Sequence, residues 1–277
     1  MKGARAFGVL LRNEWFKARK RVAFWIALGF YALFTLMNHA QPFWERSEGF
    51  RLPDIWAAVF GDESAMLVIF AALTLVLLSA TEFGWRTARQ NVIDGLSKSQ
   101  WFWGKSLLPP IVGLAFIGVH VLIPTVLALI RTDFAAAQGP LVPLSVFQAA
   151  GGLGLAFLSV GALAFLLSLL IRKTGAALAV WFLWIGPIES GMLPGLVRRF
   201  LPDYTGWLDY LPFTNGLPLL EFRNYDAPAY ERYAAAVEAA GRTPPAAVDP
   251  AWHLVTAAAW TVVLVGIAFI SFRRRDL

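Results

Sequence analysis

Apolar residues dominate six stretches of the chain, at residues 22–40, 63–81, 106–130, 146–171, 175–193 and 252–272. A helix rises about 1.5 Å per residue, so about 20 apolar residues cross a bilayer's hydrocarbon core. Lipid offers no partner to an open backbone amide, so each stretch predicts a membrane-spanning helix. The fifth is the least uniform. Its "GPIESGMLPG" places two prolines, three glycines and Glu189 near one end, which predicts a break or turn there.

The segments between these runs carry their own patterns. Ahead of the first span, "ARAFGVLLRNEWFKARKR" sets Phe7, Leu11 and Trp15 at helical spacing, which predicts an amphipathic helix over residues 1–21 lying at the membrane interface. Trp44, Phe50, Trp56 and Phe60 mix with charge between spans one and two, as in a segment resting at headgroup level. In span three Pro109 and Pro110 fall in the first turn, while Pro124 lies deeper, where a kink is expected. Gly154, Gly161 and Ser168 recur every seven residues in span four, with Gly151 and Gly152 nearby, and predict a face that another helix approaches closely. The long segment 194–251 repeats Leu-Pro among aromatics, then carries an alanine-rich run ending at Gly241; short interfacial or re-entrant helices are expected.

Charge assigns the sides. Both ends, residues 82–105 and the turn at Arg172–Lys173 hold 16 of the 24 basic residues and 4 of the 18 acidic ones. Excess lysine and arginine mark the cytoplasmic side, so both termini and the 82–105 loop are expected there, with 194–251 outside. The basic clusters flank spans and face anionic headgroups, which accounts for the positive charge without nucleic acid. The chain has no cysteine, which excludes disulfides and thiolate chemistry.

Catalytic signals are sparse. His39, His120 and His253 show no metal-ligand spacing, and neither His-Glu-x-x-His nor Gly-x-Ser-x-Gly occurs. No Gly-x-x-x-x-Gly-Lys-Ser/Thr loop is present, so any ATP is expected on another chain. His120, midway along span three, reads either as a satisfied structural histidine or as a polar group in a translocation path. Glu189 reads either as the marker of the break in span five or as part of a path or outer gate.

The loop "EFGWRTARQNVIDGLSKSQWFWGK", residues 82–105, carries the sharpest local signals. A helix continues from span two through Arg86, Arg89, Gln90 and Asn91, and Asp94-Gly95 stops it. Ser97 to Gln100 has capping-box spacing and starts a second helix, anchored by Trp101, Phe102 and Trp103 before Lys105. Two capped helices exceed what a connector needs and favour docking of a partner.

This loop resembles the cytoplasmic loop of ABC-2 type permeases, the transmembrane subunits of ABC transporters. Glu82, Thr87, Arg89, Gly95, Ser97 and Lys105 match that pattern in order, and "LRNEWFKARKR", the six-span plan and "FRRRDL" extend the likeness. The resemblance implies an exporter subunit at the plasma membrane, in bacteria the inner membrane. Its coupling helix, from Arg86 to Asp94, would sit in a groove of a separate ATP-binding subunit. Two such subunits, carrying ATP and magnesium, would drive a homodimer or heterodimer of permeases, this chain itself binding no cofactor and hydrolysing nothing. Coupling residues on this view are Glu82, Arg86, Thr87, Arg89, Gln90, Asp94, Gly95, Ser97 and Lys105.

The expected fold is one all-α integral membrane domain over residues 1–277, with six transmembrane helices, a cytoplasmic coupling helix between spans two and three, and short outer helices between spans five and six. Three rivals stand beside the permease: a secondary transporter, an ATP-independent membrane enzyme using His39, His253 and Glu189 at the outer face, and a membrane scaffold with no transported substrate.

Overall fold

A computed structural model of the chain describes residues 2–45, 52–53, 55–60, 64–84, 90–91, 93, 96–135 and 139–275. The described residues are helical with no strand. Labelled in chain order, the helices are α1 (Lys2–Lys20), α2 (Val22–Glu45), α3 (Ile55–Val59), α4 (Ser64–Gly84), α5 (Lys98–Lys105), α6 (Leu108–Arg131), α7 (Leu144–Ile171), α8 (Thr174–Leu183), α9 (Leu193–Phe200), α10 (Ala227–Ala239) and α11 (Pro250–Arg274). Six segments are long and apolar enough to cross a membrane: Val22–Ala40, Ser64–Phe83, Lys98–Arg131, Leu144–Ile171, Thr174–Phe200 and Pro250–Arg274.

The apolar windows of α4 and α7 are 61% and 67% buried against 17% for α11, so the first two form the centre of the bundle. α11 packs along α7, α2 packs on α6, and the 3-10 helix Thr214–Leu220 lies against α7. Prolines sit in the first turn of α6 as expected, and the helix runs on through Pro124. α10 is followed by Gly241 at φ +71°, a conformation that costs glycine little.

The glycines of α7 divide their work. A Cβ at Gly161 would lie 3.6 Å from Leu75 of α4, and one at Gly154 3.9 Å from Ile117 of α6, as expected of helix contacts. Gly152 instead receives Tyr225: a Cβ there would come within 2.0 Å of the phenol oxygen and 3.0 Å of the Leu219 carbonyl. The missing side chain is what lets the segment between spans five and six rest on α7.

Two expectations are corrected. Trp56 and Phe60 face the protein interior rather than lipid headgroups; the Trp56 indole donates to the Leu141 carbonyl at 2.8 Å and Phe60 stacks on Phe222. Trp44 and Phe50 lie outside the residues whose side chains are described. Span five does not break at "GPIESGMLPG": α8 widens into a π-helix at Trp184–Met192 and continues as α9 to Phe200. A π turn pairs each amide with the carbonyl five residues back, which accommodates Pro187 without ending the helix.

Candidate functional site

α1, α5, the end of α4 and the end of α11 meet at one end of the bundle, which is rich in bases. Ser97 caps α5: its hydroxyl accepts from the Gln100 amide at 3.1 Å while the Gln100 side chain accepts from the Ser97 amide at 2.9 Å. Trp101 stacks on Phe272 of α11 at 4.8 Å, and Phe102 packs against Phe165 and Phe269. Lys98 Nζ donates to the Arg275 carbonyl at 2.9 Å, and the Arg275 guanidinium donates to the Leu170 carbonyl at 2.8 Å. A helix of only eight residues is marginal alone, so these contacts are what hold it.

At its far end α5 presents Lys105, only 2% exposed. Its ammonium donates to Glu14 Oε2 at 2.5 Å and to Glu82 Oε1, and stands 5.9 Å over the Trp101 ring. Lys17 Nζ donates to Glu14 Oε1 at 3.0 Å, and Arg21 Nη1 to Thr81 Oγ1 at 3.1 Å. A cavity of about 10 Å³, the size of one water, lies among Glu14, Lys17, Arg21, Glu82 and Lys105. Burying ions is costly, and the cost is offset only when each meets an opposite charge in good geometry. Two carboxylates and two cations from α1, α4 and α5 meet that condition here, with Arg21 beside them on Thr81.

Of the residues expected to couple to a partner, the structure brings Glu82 and Lys105 together across 23 positions and gives Ser97 its cap. Gln90 is helical and exposed. Arg86, Thr87, Arg89, Asp94 and Gly95 lie outside the described residues. Glu14 was not expected at the site. α1 turns Glu14 and Ala18 inward, with Leu10 beside Gly104 of α5, while Leu11 and Trp15 of the expected stripe are exposed and Phe7 lies outside the described side chains. One signal was available: Glu14 is the only acidic residue before Glu45, set among seven bases.

The other candidates lie elsewhere. His120 Nε2 faces the Val59 carbonyl at 2.7 Å, with the Ser64 hydroxyl at 3.2 Å, and Nδ1 faces the Tyr31 hydroxyl at 2.6 Å. A neutral ring protonated on Nε2 satisfies both neighbours, and so ties α2, α3 and α4 to α6. Glu189, fully buried on the π-helix, accepts from the Phe213 and Thr214 amides at 2.6 and 2.8 Å and from the Trp184 indole at 2.6 Å. It thereby caps Thr214–Leu220, whose second residue, Asn215, exchanges bonds with His253: Oδ1 meets Nδ1 at 3.0 Å, and Nδ2 donates to the His253 carbonyl at 2.9 Å. His39 Nδ1 faces the Thr35 carbonyl at 2.8 Å. Among the described residues no group of three or more His, Cys, Asp or Glu side chains is placed to hold a metal ion.

An all-helical bundle with six membrane-length apolar helices has the architecture of a multi-pass membrane protein. Within that class the chain belongs to a family described as protein of unknown function, DUF2705, matched over residues 33–277. No curated protein matches it. The matched region includes Glu82 and Lys105 and begins after Glu14.

Proposed function

We propose that this chain is the permease subunit of an ATP-driven exporter of the ABC-2 type, its basic end and both termini in the cytoplasm and its membrane the plasma membrane, in bacteria the inner membrane. It works as a dimer of permeases, identical or different, with two copies of a separate ATP-binding subunit that carries ATP and magnesium. The observation that carries this reading is the Lys105 junction. A docking element transmits movement only if its base does not yield, and Lys105 fastens the two ends of the 82–105 loop to each other and to α1. Charge-assisted bonds between buried groups are well suited to that, since low dielectric strengthens each of them.

The rival readings have less support. Glu189 accepts from two backbone amides and an indole, His253 meets Asn215 and His39 a backbone carbonyl, so none of these bonds joins one of the three residues of an outer-face enzyme to another. A secondary transporter needs ionisable groups around a midplane site; His120 is spent on Tyr31 and Val59.

Co-expression with the product of the neighbouring reading frame, expected to be an ATPase, tests the proposal. The intact chain is expected to capture that ATPase, and Arg86→Glu with Arg89→Glu to lose it. Failure of the intact chain to capture an ATPase, or transport that continues on an ion gradient with ATP removed, would overturn it.

A further inference from the structure

At the end of the bundle opposite Lys105, the 3-10 helix Gly206–Tyr210 folds back beside α11. Between them runs a groove of about 450 Å³. Trp207, Tyr210 and Leu211 form one wall, and Thr256, Ala259 and Val263 form the other, with Trp260 between. The groove is preformed. The Trp260 indole donates to the Tyr210 carbonyl at 2.7 Å, and the Tyr210 ring stacks on His253 at 5.5 Å, so the two walls are joined rather than free to collapse. Leu208, behind the first wall, and Leu211, within it, pack with Val197 of α9, which stiffens it further.

Depth decides what can fill it. Counted at 1.5 Å per residue from Pro250, positions 256 to 263 lie roughly 9 to 20 Å along the helix, within a hydrocarbon layer of about 30 Å. Almost every atom of the wall is apolar, so water would find no partners there. Trp207 and Val263 are 46% and 49% exposed, so the groove opens sideways, toward lipid. A helix with its side chains is about 10–12 Å across, and about one turn would exhaust this volume. An extended hydrocarbon chain can instead lie along its length.

We infer that this groove is a binding site for one acyl chain of a bilayer lipid, in the leaflet on the side of the 201–249 segment. The inference requires only that α11 spans a membrane, and it does not depend on an ATP-driven partner. The lipid's headgroup then lies near the start of α11, where Trp252 is 68% exposed at interfacial depth. Apolar groove residues hold the chain in place while the open faces of α11, Val262 and Ile270 among them, see only exchanging lipid.

The test uses the full chain in liposomes of phosphatidylethanolamine and phosphatidylglycerol, with a trace of phospholipid bearing a diazirine midway along one acyl chain. After photolysis, label at Ala259 and Val263 is expected to exceed that at the open-face Val255 and Val262, which lie at similar depth, by about fivefold or more, a clear difference in occupancy. Ala259→Trp fills the groove and brings the ratio to about one. Ala259→Leu, a smaller change, lowers it partway and serves if the larger variant fails to fold. Equal labelling of groove and open face in the parent protein overturns the inference. The chain has no cysteine, so Ala259→Cys supplies a single thiol. Disulfide-linked dimers through that thiol, with the groove unlabelled, would show that a second copy occupies the site and would also overturn it.

Discussion

The bundle buries carboxylates at both ends, and it stabilises them by different means. Glu14 and Glu82 face ammonium groups, whereas Glu189 faces an indole and two backbone amides. The first arrangement joins elements far apart in sequence through side chains alone. The second holds one segment through its main chain, as a helix cap does. A charge-balanced junction depends on every ion being present, while a cap depends on the acceptor's shape and orientation.

Substitutions should separate the two. The largest effect is expected from Lys105→Met, which leaves Glu14 and Glu82 facing each other without their shared cation. Removing one member of a buried ion pair costs about 3–5 kcal/mol, to be read as a lowered denaturation midpoint. Adding Glu14→Gln and Glu82→Gln to that variant should restore most of the loss, because the buried groups are then uncharged while Lys17, its side chain 41% exposed, keeps its charge in water. If the triple variant is no more stable than the single one, the junction is not held by charge.

Glu189→Gln comes next. An amide offers one acceptor oxygen, so its nitrogen must face either the Trp184 indole or the Phe213 and Thr214 amides, all of them donors. A buried donor left unsatisfied costs about 1–3 kcal/mol. Amide exchange at Phe213 and Thr214 should accelerate and proteolysis within 201–226 should rise, with α5 unchanged. Ser97→Ala removes the cap of α5 and should cost about 1 kcal/mol, seen as faster exchange at the Gln100 amide and no change around Glu189.

The smallest effect concerns pH. Burial pushes the Tyr225 phenol above its usual range. A phenol kept neutral in the folded state adds stability that is complete below the unfolded pKa of about 10 and declines as pH rises through the folded value. Denaturation midpoints measured upward from pH 9 should therefore show an alkaline decline that Tyr225→Phe reduces. An identical decline in both proteins would assign it to another group.

Much of this fold was legible because the hydrophobic pattern of a span states its length and little else is needed to place it. The cap at Ser97 was equally plain, since both halves of the motif lie within four residues. The stripe of α1 that holds Leu11 and Trp15 is exposed, as an interfacial helix requires, but the pattern was silent about the other side, where Glu14 turns in. Glu82 and Lys105 were picked out by resemblance, yet nothing in their spacing pairs them with Glu14, 91 positions before Lys105. The role of Glu189 was hidden more deeply still. Two of its donors are backbone amides 24 and 25 positions away, and a main-chain donor carries no residue signature.

The π-helix of span five has a geometric consequence. Trp181, Ile185, Glu189 and Val197 are all buried. At about 100° per residue, an unbroken α-helix would carry position 197 round to roughly 160° from position 181, nearly the opposite side. The wider turn between them takes up that drift and keeps one side of a 27-residue span inward from end to end. The span thus works as a corrected screw thread. Deleting a single residue within 184–192 would turn everything beyond it by about 100°, swinging Val197 away from Leu208 and Leu211 while leaving the composition of the helix almost the same.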